Sequence, residues 1–225
     1  MAHKGYGWKV GQPAPLLEDH SKEKHRLLAT YLRSYIKTLA ANPAQDSIRF
    51  SVVDGFAGGG TYTDPDTNLI LPGSPLRAIE AVDSAVAELN LTGGRRKQLR
   101  NEVDFHFVEK DADAYAFLCQ SLVDRAIPFN VPNARVSVYQ GAFETFAPGV
   151  IAAIHQRSKR AGKSIFILDQ YGYSKVPVTT LRQIFAALPK AEVILTFHVD
   201  SLINYLNDEN LARAEVRLAV PTLLA

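Results

Sequence analysis

Residues able to do chemistry follow several of the short apolar runs in this chain. Asp54 comes directly after the first run and precedes a turn that contains Phe56, Gly58 and Gly60. Glycine adopts positive φ and lets the backbone approach a ligand closely, and open α/β sheets bind ligands at the carboxyl ends of their strands. The segment 54–60 therefore predicts a cofactor-binding loop, with a purely structural turn as the alternative.

The residues after this turn narrow the class of cofactor. A P-loop needs a lysine after its last glycine, and a dinucleotide fingerprint opens directly into a helix. Here Gly60 is followed by Thr61 and Tyr62, and residues 64–72 carry Asp, Asn and Pro. Nucleoside triphosphates and NAD are therefore disfavoured. The order Asp-x-Phe-Ala-Gly-x-Gly resembles the first motif of methyltransferases that act on amino groups of nucleic-acid bases.

Glu109 follows the second apolar run. A carboxylate at this position accepts hydrogen bonds from ribose hydroxyls in nucleoside-binding sheets, and an ordinary strand-end acid is the alternative. Glu109 lies far beyond the roughly 20 residues that separate the glycines from the acid in the dinucleotide pattern. This spacing is a second argument against NAD.

Ser74 and Pro75 predict the start of a helix, with Ser74 as the N-cap and Pro75 in the first helical position. Capping alone would explain Ser74. The functional alternative is that its hydroxyl and the neighbouring amides bind a carboxylate of the cofactor, because a helix N-terminus attracts anions.

The fourth apolar run ends in Asp169, Gln170 and Tyr171. An exocyclic base amine is a poor nucleophile because its lone pair is delocalised into the ring. Two acceptors that hold its hydrogens favour the tetrahedral geometry that attacks a methyl group, and an aromatic ring can stack on the base. The Asp169 carboxylate, the Gln170 carbonyl and the Tyr171 ring fit this scheme. Asp169 and Tyr171 are therefore the candidate catalytic residues, with a structural strand-end Asp as the alternative.

Alternating strands and helices must position these residues. Helix-length patterns separate the apolar runs, which predicts a mostly parallel sheet with helices on both faces in a Rossmann-like α/β fold. Residues 1–45 form an arm and a helix, and residues 46–225 form the main domain. Because the chain ends after five predicted strands, we expect a truncated protein that lacks the last strands. The predicted strands are Ile48–Val53, Val103–Val108, Arg135–Tyr139, Ser164–Leu168 and Glu192–Phe197, and the predicted helices are 21–40, Ser74–Leu89, Asp111–Asp124, Phe143–Arg157, Pro177–Leu188 and Leu202–Leu218.

With these motifs in place, the chain resembles the three-Cys-motif partner protein family (TcmP). More distantly, it is similar to the bacterial large-subunit rRNA adenine-N6 methyltransferase. The resemblance implies a methyltransferase fold, S-adenosylmethionine as cofactor and a partner protein with a three-cysteine motif. It also implies that Ser74, Glu109 and Asp169 line the cofactor site, and that His25 of the first helix contacts the cofactor, although a helix-face histidine needs no function. The matching segments are Trp8 to Tyr31, Asp54-Gly-Phe-Ala-Gly, Gly73-Ser-Pro-Leu-x-Ala78, Val108-Glu-x-Asp111 and Asp169-x-Tyr-Gly172.

The chain departs from these relatives at two positions. Gln170 and Gly172 break the Asp-Pro-Pro-Tyr pattern that is usual at the catalytic Asp. After the third strand, relatives carry an acid that accepts from the cofactor's adenine amine, whereas residues 139–143 of this chain contain none, so Gln140 or a backbone carbonyl is the candidate substitute. Two functions stay open: an enzyme that methylates an adenine amine in RNA or DNA, and a catalytically degenerate subunit that binds a partner protein.

Composition limits the remaining possibilities. Hydrophobic residues make up 47% and charged residues 21% of the chain, with a net charge of +2. No apolar run is long enough for a signal peptide or a membrane span, so we expect a cytoplasmic protein without a membrane partner. The lone Cys119 and the absence of Cys/His spacing predict no metal site. Basic clusters at 95–100 and 157–163 are candidate nucleic-acid contacts or simply solvated surface.

Overall fold

The computed structural model of the chain describes residues 7–92, 94–158, 162–170 and 176–196. An irregular arm leads into helix α1 (Asp19–Leu39), whose buried stripe includes Leu28, Leu32 and Ile36. This spacing of four residues places the three side chains on one face of the helix. The helix ends at Ala40, just before Asn42 and Pro43, because the residue before a proline disfavours helical geometry.

A five-stranded parallel sheet forms the centre of the fold. In chain order its strands are β2 (Ser51–Asp54), β6 (Asp104–Glu109), β7 (Val136–Gln140), β8 (Ser164–Asp169) and β9 (Ala191–Thr196). Their spatial order is β7-β6-β2-β8-β9. The chain runs outward from β2 to one edge of the sheet and then returns to build the other, which is the doubly wound order. The point of reversal lies between β2 and β8.

Helices cover both faces of this sheet, as predicted. The remaining helices are α2 (Ser74–Thr92), α3 (Ala112–Asp124), α4 (Phe143–Arg157) and α5 (Val178–Ala187). Side chains of α1, α2 and α3 share one core cluster with Val52, Phe105 and Ile165, whereas α4 and α5 share another with Val53 and Phe166. The side chains of consecutive strand residues thus pack into different core clusters, one on each face of the sheet, because successive side chains of a strand point to opposite faces.

Two small sheets flank the central one. β1 (Ser47–Ile48) pairs in parallel with β5 (Arg100–Asn101), and β3 (Thr61–Thr63) pairs in antiparallel fashion with β4 (Ile70–Pro72). The predicted strand 48–53 was therefore wrong in one respect: it is two strands that belong to different sheets. The β3–β4 hairpin follows the glycine turn directly, which confirms that no helix opens there.

The helix and strand predictions agree with the structure to within two residues at most boundaries. The predicted helix 202–218 and the end of the last predicted strand, Phe197, lie outside the described residues. Among the helices that the structure describes, none is both long and apolar enough to cross a membrane.

Candidate functional site

Three acidic residues lie at the carboxyl edge of three adjacent strands. Asp54 ends β2, Glu109 ends β6 and Asp169 ends β8. The strand register pairs Asp54 with Phe107 on one side and Ile167 on the other. Because a strand rises about 3.3 Å per residue, Asp54 lies about 7 Å deeper than the other two acids. Glu109 and Asp169 flank it, about 10 Å apart by strand spacing, beside the point where the strand order reverses.

Asp54 is a buried carboxyl group, only 1% exposed. Its Oδ1 accepts a hydrogen bond from the Phe56 amide at 3.1 Å, whereas Oδ2 has no well-formed hydrogen bond. Burial raises the pKa of Asp54 to about 7; the nearby Ser74 hydroxyl and the Phe56 amide oppose this shift, and the charge of Asp169 adds to it. Asp54 therefore keeps its proton to a higher pH than an exposed carboxyl group does.

Glu109 holds the glycine turn against the sheet. Its Oε2 accepts from the Gly58 amide at 2.7 Å, and its Oε1 accepts from the Asp111 amide at 2.7 Å. Burial raises the pKa of Glu109, and these backbone hydrogen bonds counter the shift. Each carboxylate oxygen retains a second lone pair, so the side chain can still accept a hydrogen bond from a ligand.

The glycine turn has the backbone conformation that the sequence predicts. Gly58 has φ +63° and Gly60 has φ +83°, values that other residues rarely adopt. The close approach of the backbone, however, is made to the protein itself. A Cβ on Gly58 would lie 2.9 Å from the Trp8 ring, and one on Gly59 would lie 2.2 Å from it. Trp8 is buried, and its indole nitrogen donates to the Thr61 carbonyl at 2.9 Å.

Packing against Trp8 therefore accounts for the small residues at 58 and 59. A Cβ on Gly60 would likewise meet Leu118 at 2.8 Å. The structural reading of these three glycines thus has a direct physical basis, and it leaves cofactor contact by the turn as a prediction.

Ser74 has a different place from the one predicted. The helix α2 begins at Ser74, and the Gly73 carbonyl accepts from the Arg77 amide at 2.8 Å. Gly73 therefore occupies the capping position predicted for Ser74. The Gly73 amide also donates to the Gly60 carbonyl at 2.7 Å, and this close approach favours glycine there. The Ser74 hydroxyl lies beside Asp54 instead and lowers its pKa.

Asp169 forms an ion pair with Lys24 of α1. Both carboxylate oxygens lie 2.9 Å from the Lys24 ammonium nitrogen, and the two side chains are 38% and 32% exposed. Lys24 belongs to the helix segment through which the chain resembles its relatives, but the sequence gives no sign that it meets a residue 145 positions away. The candidate catalytic carboxylate thus has a cationic partner that sequence reasoning missed.

His25 is buried next to this pair. Its side chain is 8% exposed, and its Nδ1 has no hydrogen-bond partner among the described residues. Burial lowers the pKa of His25 to about 4, and the positive charges of Arg77 and Lys24 lower it further. The imidazole is therefore neutral at physiological pH and can donate or accept one hydrogen bond.

A cavity of about 320 Å³ connects these groups. We call it the strand-end pocket; it is bounded by α1, the start of α2 and the ends of β8 and β9. The Tyr31 hydroxyl donates to the Glu192 carboxylate. This hydrogen bond joins α1 to β9 and helps to hold α1 in place beside the pocket. The pocket combines an apolar wall with polar side chains that include Lys24, His25, Ser74 and Asp169.

The predicted residues therefore fall into two adjoining groups. His25, Ser74 and Asp169 line the strand-end pocket, whereas Phe56, Gly58 and Glu109 lie around the glycine turn. Asp54 connects the two groups, because it interacts electrostatically with Ser74, Asp169 and Glu109.

The remaining candidates lie at the rim or beyond the described residues. Gln140 is exposed at the end of β7, in register with Glu109. The side chain of Gln170 turns inward, where its Oε1 accepts from the Val176 amide at 3.0 Å. Tyr171 and Gly172 lie outside the described residues.

Three arginines of the two basic clusters have structural partners at the opposite edge of the sheet, whereas Lys159 and Arg160 lie outside the described residues. Arg95 donates to the carbonyls of Ala40 and Gln45. Arg100 pairs with Asp46 at 3.3 Å, and Arg157 pairs with Asp104, the first residue of β6, at 2.6 Å. These arginines are therefore occupied by intramolecular contacts, far along the strands from the strand-end pocket.

The chain has few detectable similarities to known proteins. No protein-family model matches the chain, and no curated protein does. Among solved structures, the chain is similar to protein LPL1258 from Legionella pneumophila str. Philadelphia 1, assigned to the family model DUF519. The identity is 13%, the match covers 74% of this chain and 64% of that protein, and the TM-score is 0.43. The chain thus matches less than two thirds of that protein's length.

Proposed function

We propose that this protein transfers a methyl group from S-adenosylmethionine to an exocyclic amine of a nucleic-acid base, an adenine amine in RNA or DNA. The observation that carries the proposal is the strand-end pocket, in which Asp169 faces a cavity beside the strand-order reversal. Ligands of doubly wound sheets bind in the crevice at such a reversal.

The chemical groups of the cofactor give a test of fit. S-adenosylmethionine carries a carboxylate, two positive charges, a ribose diol and an adenine. Lys24 and the N-terminus of α2 offer positive charge for the carboxylate, and Asp54 and Asp169 offer negative charge for the cations. The unpartnered His25 nitrogen is a polar atom that a ligand would satisfy.

The ribose and adenine ends have candidate partners on the neighbouring strands. The free lone pairs of Glu109 suit the ribose diol, and the exposed amide of Gln140 offers an acceptor to the adenine amine. The residues present therefore fit the cofactor, and Gln140 substitutes for the acid that relatives carry.

The protein's part in the reaction is positioning and charge. The bound cofactor supplies an electrophilic methyl group on a sulfonium. Asp169 accepts a hydrogen bond from the amine of the base and thereby favours the tetrahedral nitrogen that attacks this methyl. Transfer would exchange the carbon–sulfur bond of the cofactor for a carbon–nitrogen bond, and the nitrogen, held by Asp169, would release one proton to solvent.

Each oxygen of Asp169 accepts from Lys24 and keeps a second lone pair, so the amine of the base can bind beside Lys24 or displace it from one oxygen. Since both side chains are about one third exposed, the pair contributes no more than about 1 kcal/mol. Capture of the cofactor's carboxylate by Lys24 would offset that cost. The ion pair therefore suits the resting state of a site that reorganises when ligands bind.

Asp169→Asn tests this function. We expect purified full-length protein to transfer labelled methyl groups to bacterial RNA or DNA, and the variant to lose about 100-fold or more in rate, as when one transition-state acceptor is removed. Asp113→Asn, an exposed acid in the first turn of α3, is the matched control. No transfer by wild type, or equal rates for wild type and Asp169→Asn, would rule out the proposal.

The ion pair also favours a second candidate, a catalytically degenerate subunit that acts through its partner. Lys24 holds both oxygens of Asp169, and the inward-turned Gln170 replaces the usual proline. In this case the protein would co-purify with a three-Cys-motif partner without any methyl transfer. Substitution of Asp169 would then leave partner binding unchanged. Calorimetric titration with S-adenosylmethionine separates a degenerate subunit that has lost the cofactor from an enzyme.

A further inference from the structure

A second cavity, of about 520 Å³, lies on the other side of α1 from the strand-end pocket. Lys22, Arg26, Thr30 and Arg33 line it from α1 at intervals of three and four residues, so they form one stripe of the helix. Arg77 from the first turn of α2 completes the wall. We call this cavity the cationic groove.

The charges of the groove differ between its two ends. Lys22 lies within 3.6 Å of carboxylates from Asp19, Asp64 and Asp66, so that end is neutralised and repels anions. At the other end, Arg26 has one partner, Glu23, at 2.8 Å, in a pair whose side chains are 74% and 64% exposed. Such exposed pairs contribute less than about 1 kcal/mol and exchange easily with another anion.

Arg33 and Arg77 form no ion pair within the described part of the chain. The Nε of Arg77 is buried without a hydrogen-bond partner there, which costs free energy that an anionic ligand would recover. Arg33 is exposed and lies near Glu88, which is already paired with Lys37 at 2.8 Å. Arg26, Arg33 and Arg77 therefore bring three guanidinium groups to the groove, where they interact with the carboxylates of Glu23 and of the already paired Glu88.

We propose that the cationic groove binds the phosphodiester backbone of the nucleic-acid strand whose base enters the strand-end pocket. Guanidinium groups bind phosphate through two parallel hydrogen bonds, and three of them line this groove. This inference rests on the proposed function, because it takes the acceptor to be a nucleic acid.

The position of the groove suits this role. A single helix separates it from the strand-end pocket: Lys24, Leu27 and Tyr31 of α1 line the pocket, and the stripe of Arg26 and Arg33 lines the groove. Arg77 stands three residues after Ser74, so α2 contributes to both cavities. The carboxylates around Lys22 repel a strand from that end of the groove, so the contact is limited to the few phosphates that Arg26, Arg33 and Arg77 can reach.

Fluorescence anisotropy with a labelled single-stranded RNA, and with the DNA of the same sequence, tests the proposal. Arg33→Gln combined with Arg77→Gln should weaken binding roughly tenfold. The slope of log affinity against log salt should fall by about 1.4, since each phosphate contact on a single strand contributes about 0.7. Arg125→Gln, an exposed arginine after α3, is the single-charge control and should leave affinity and slope unchanged.

Several outcomes would overturn the proposal. The first is that the folded wild-type protein binds neither the RNA nor the DNA strand. The second is that Arg125→Gln and the double variant lose the same amount of affinity. The third is that an acidic peptide binds with the same dependence on Arg33 and Arg77. Thermal melting establishes that the double variant is folded, and titration of the wild-type protein with S-adenosylmethionine tests the proposed function separately. If the strand binds through these arginines but S-adenosylmethionine does not bind, the groove stands and the proposed function fails. If methyl transfer occurs without dependence on the arginines, the proposed function stands and the groove fails.

Discussion

Asp54→Asn should change the pH dependence of stability more than any other single replacement at this site. The pKa of Asp54 rises from 3.8 to about 7 on burial, so the folded state keeps a proton that the unfolded state loses. The stabilisation is fully present below pH 3.8 and disappears as the pH rises to 7. At 1.36 kcal/mol per pKa unit, a rise of about three units corresponds to a loss of order 4 kcal/mol.

The pKa shift of His25 changes the free energy of unfolding with pH in the opposite direction. Its pKa falls from 6.5 to about 4 because the ring is buried, so its contribution to stability is present above pH 6.5 and is lost as the pH falls to 4. The two slopes cancel between pH 4 and 6.5, and wild-type stability should be almost flat in that interval. The difference between wild type and variant, not the wild-type curve, therefore reports Asp54.

The assay is urea unfolding at a series of pH values from 4 to 8, with free energies of unfolding from linear extrapolation. Because Asn has the shape of Asp without its charge, the stability of Asp54→Asn relative to wild type should rise by about 4 kcal/mol between pH 4 and 7. In His25→Gln, with Asp54 intact, stability should fall over the same interval. Asp113→Asn, which removes an exposed charge, is the control. A difference between Asp54→Asn and wild type that stays constant to within 1 kcal/mol would refute the reasoning.

Two further replacements test the packing and the ion pair. Gly59→Ala should lower the free energy of unfolding by about 1 to 3 kcal/mol through overpacking, because the new methyl would lie 2.2 Å from the Trp8 ring. Gly149→Ala, on an open face of α4, should instead raise it by about 0.5 to 1 kcal/mol; equal effects would contradict the packing of Trp8. A double-mutant cycle on Lys24 and Asp169 should give a coupling below about 1 kcal/mol, and a coupling of several kcal/mol would show that the pair is not readily displaced.

The sequence predicted the strand-end acids well for a simple physical reason. Buried parallel strands are largely apolar, so an acid that follows such a run marks the carboxyl end of the strand. Asp54, Glu109 and Asp169 all carry this signal. Strands separated by helix-length segments then require parallel pairing, which brings those three acids to one edge of the sheet.

The partners of these acids could not be predicted in the same way. Periodicity shows which side chains are buried but not which distant residue they meet. Lys24 reaches Asp169 only because Tyr31 and the apolar stripe of α1 fix this helix over β8 and β9. Trp8 likewise reaches Gly59 across the fold, although the glycines alone suggested space for a ligand.

The cap of α2 shows a similar limit. Ser74 and Pro75 form a good capping sequence, yet Gly73 takes the capping position because the Gly60 carbonyl approaches its amide. A local propensity of about 1 kcal/mol is easily overruled by such a tertiary contact. The result matters for function, since it leaves the Ser74 hydroxyl beside Asp54.

The three acids differ in how their negative charge is compensated, and this difference indicates the charge of a fitting ligand. Backbone amides compensate Glu109, Lys24 compensates Asp169, and Asp54 is compensated partly by a proton at neutral pH. A proton and a lysine side chain are both displaceable, whereas the backbone amides are part of the fold. A cationic ligand group placed between Asp54 and Asp169 would replace both, because it supplies the positive charge that they provide. We therefore expect this edge of the sheet to bind a positively charged ligand group better than a neutral or anionic one.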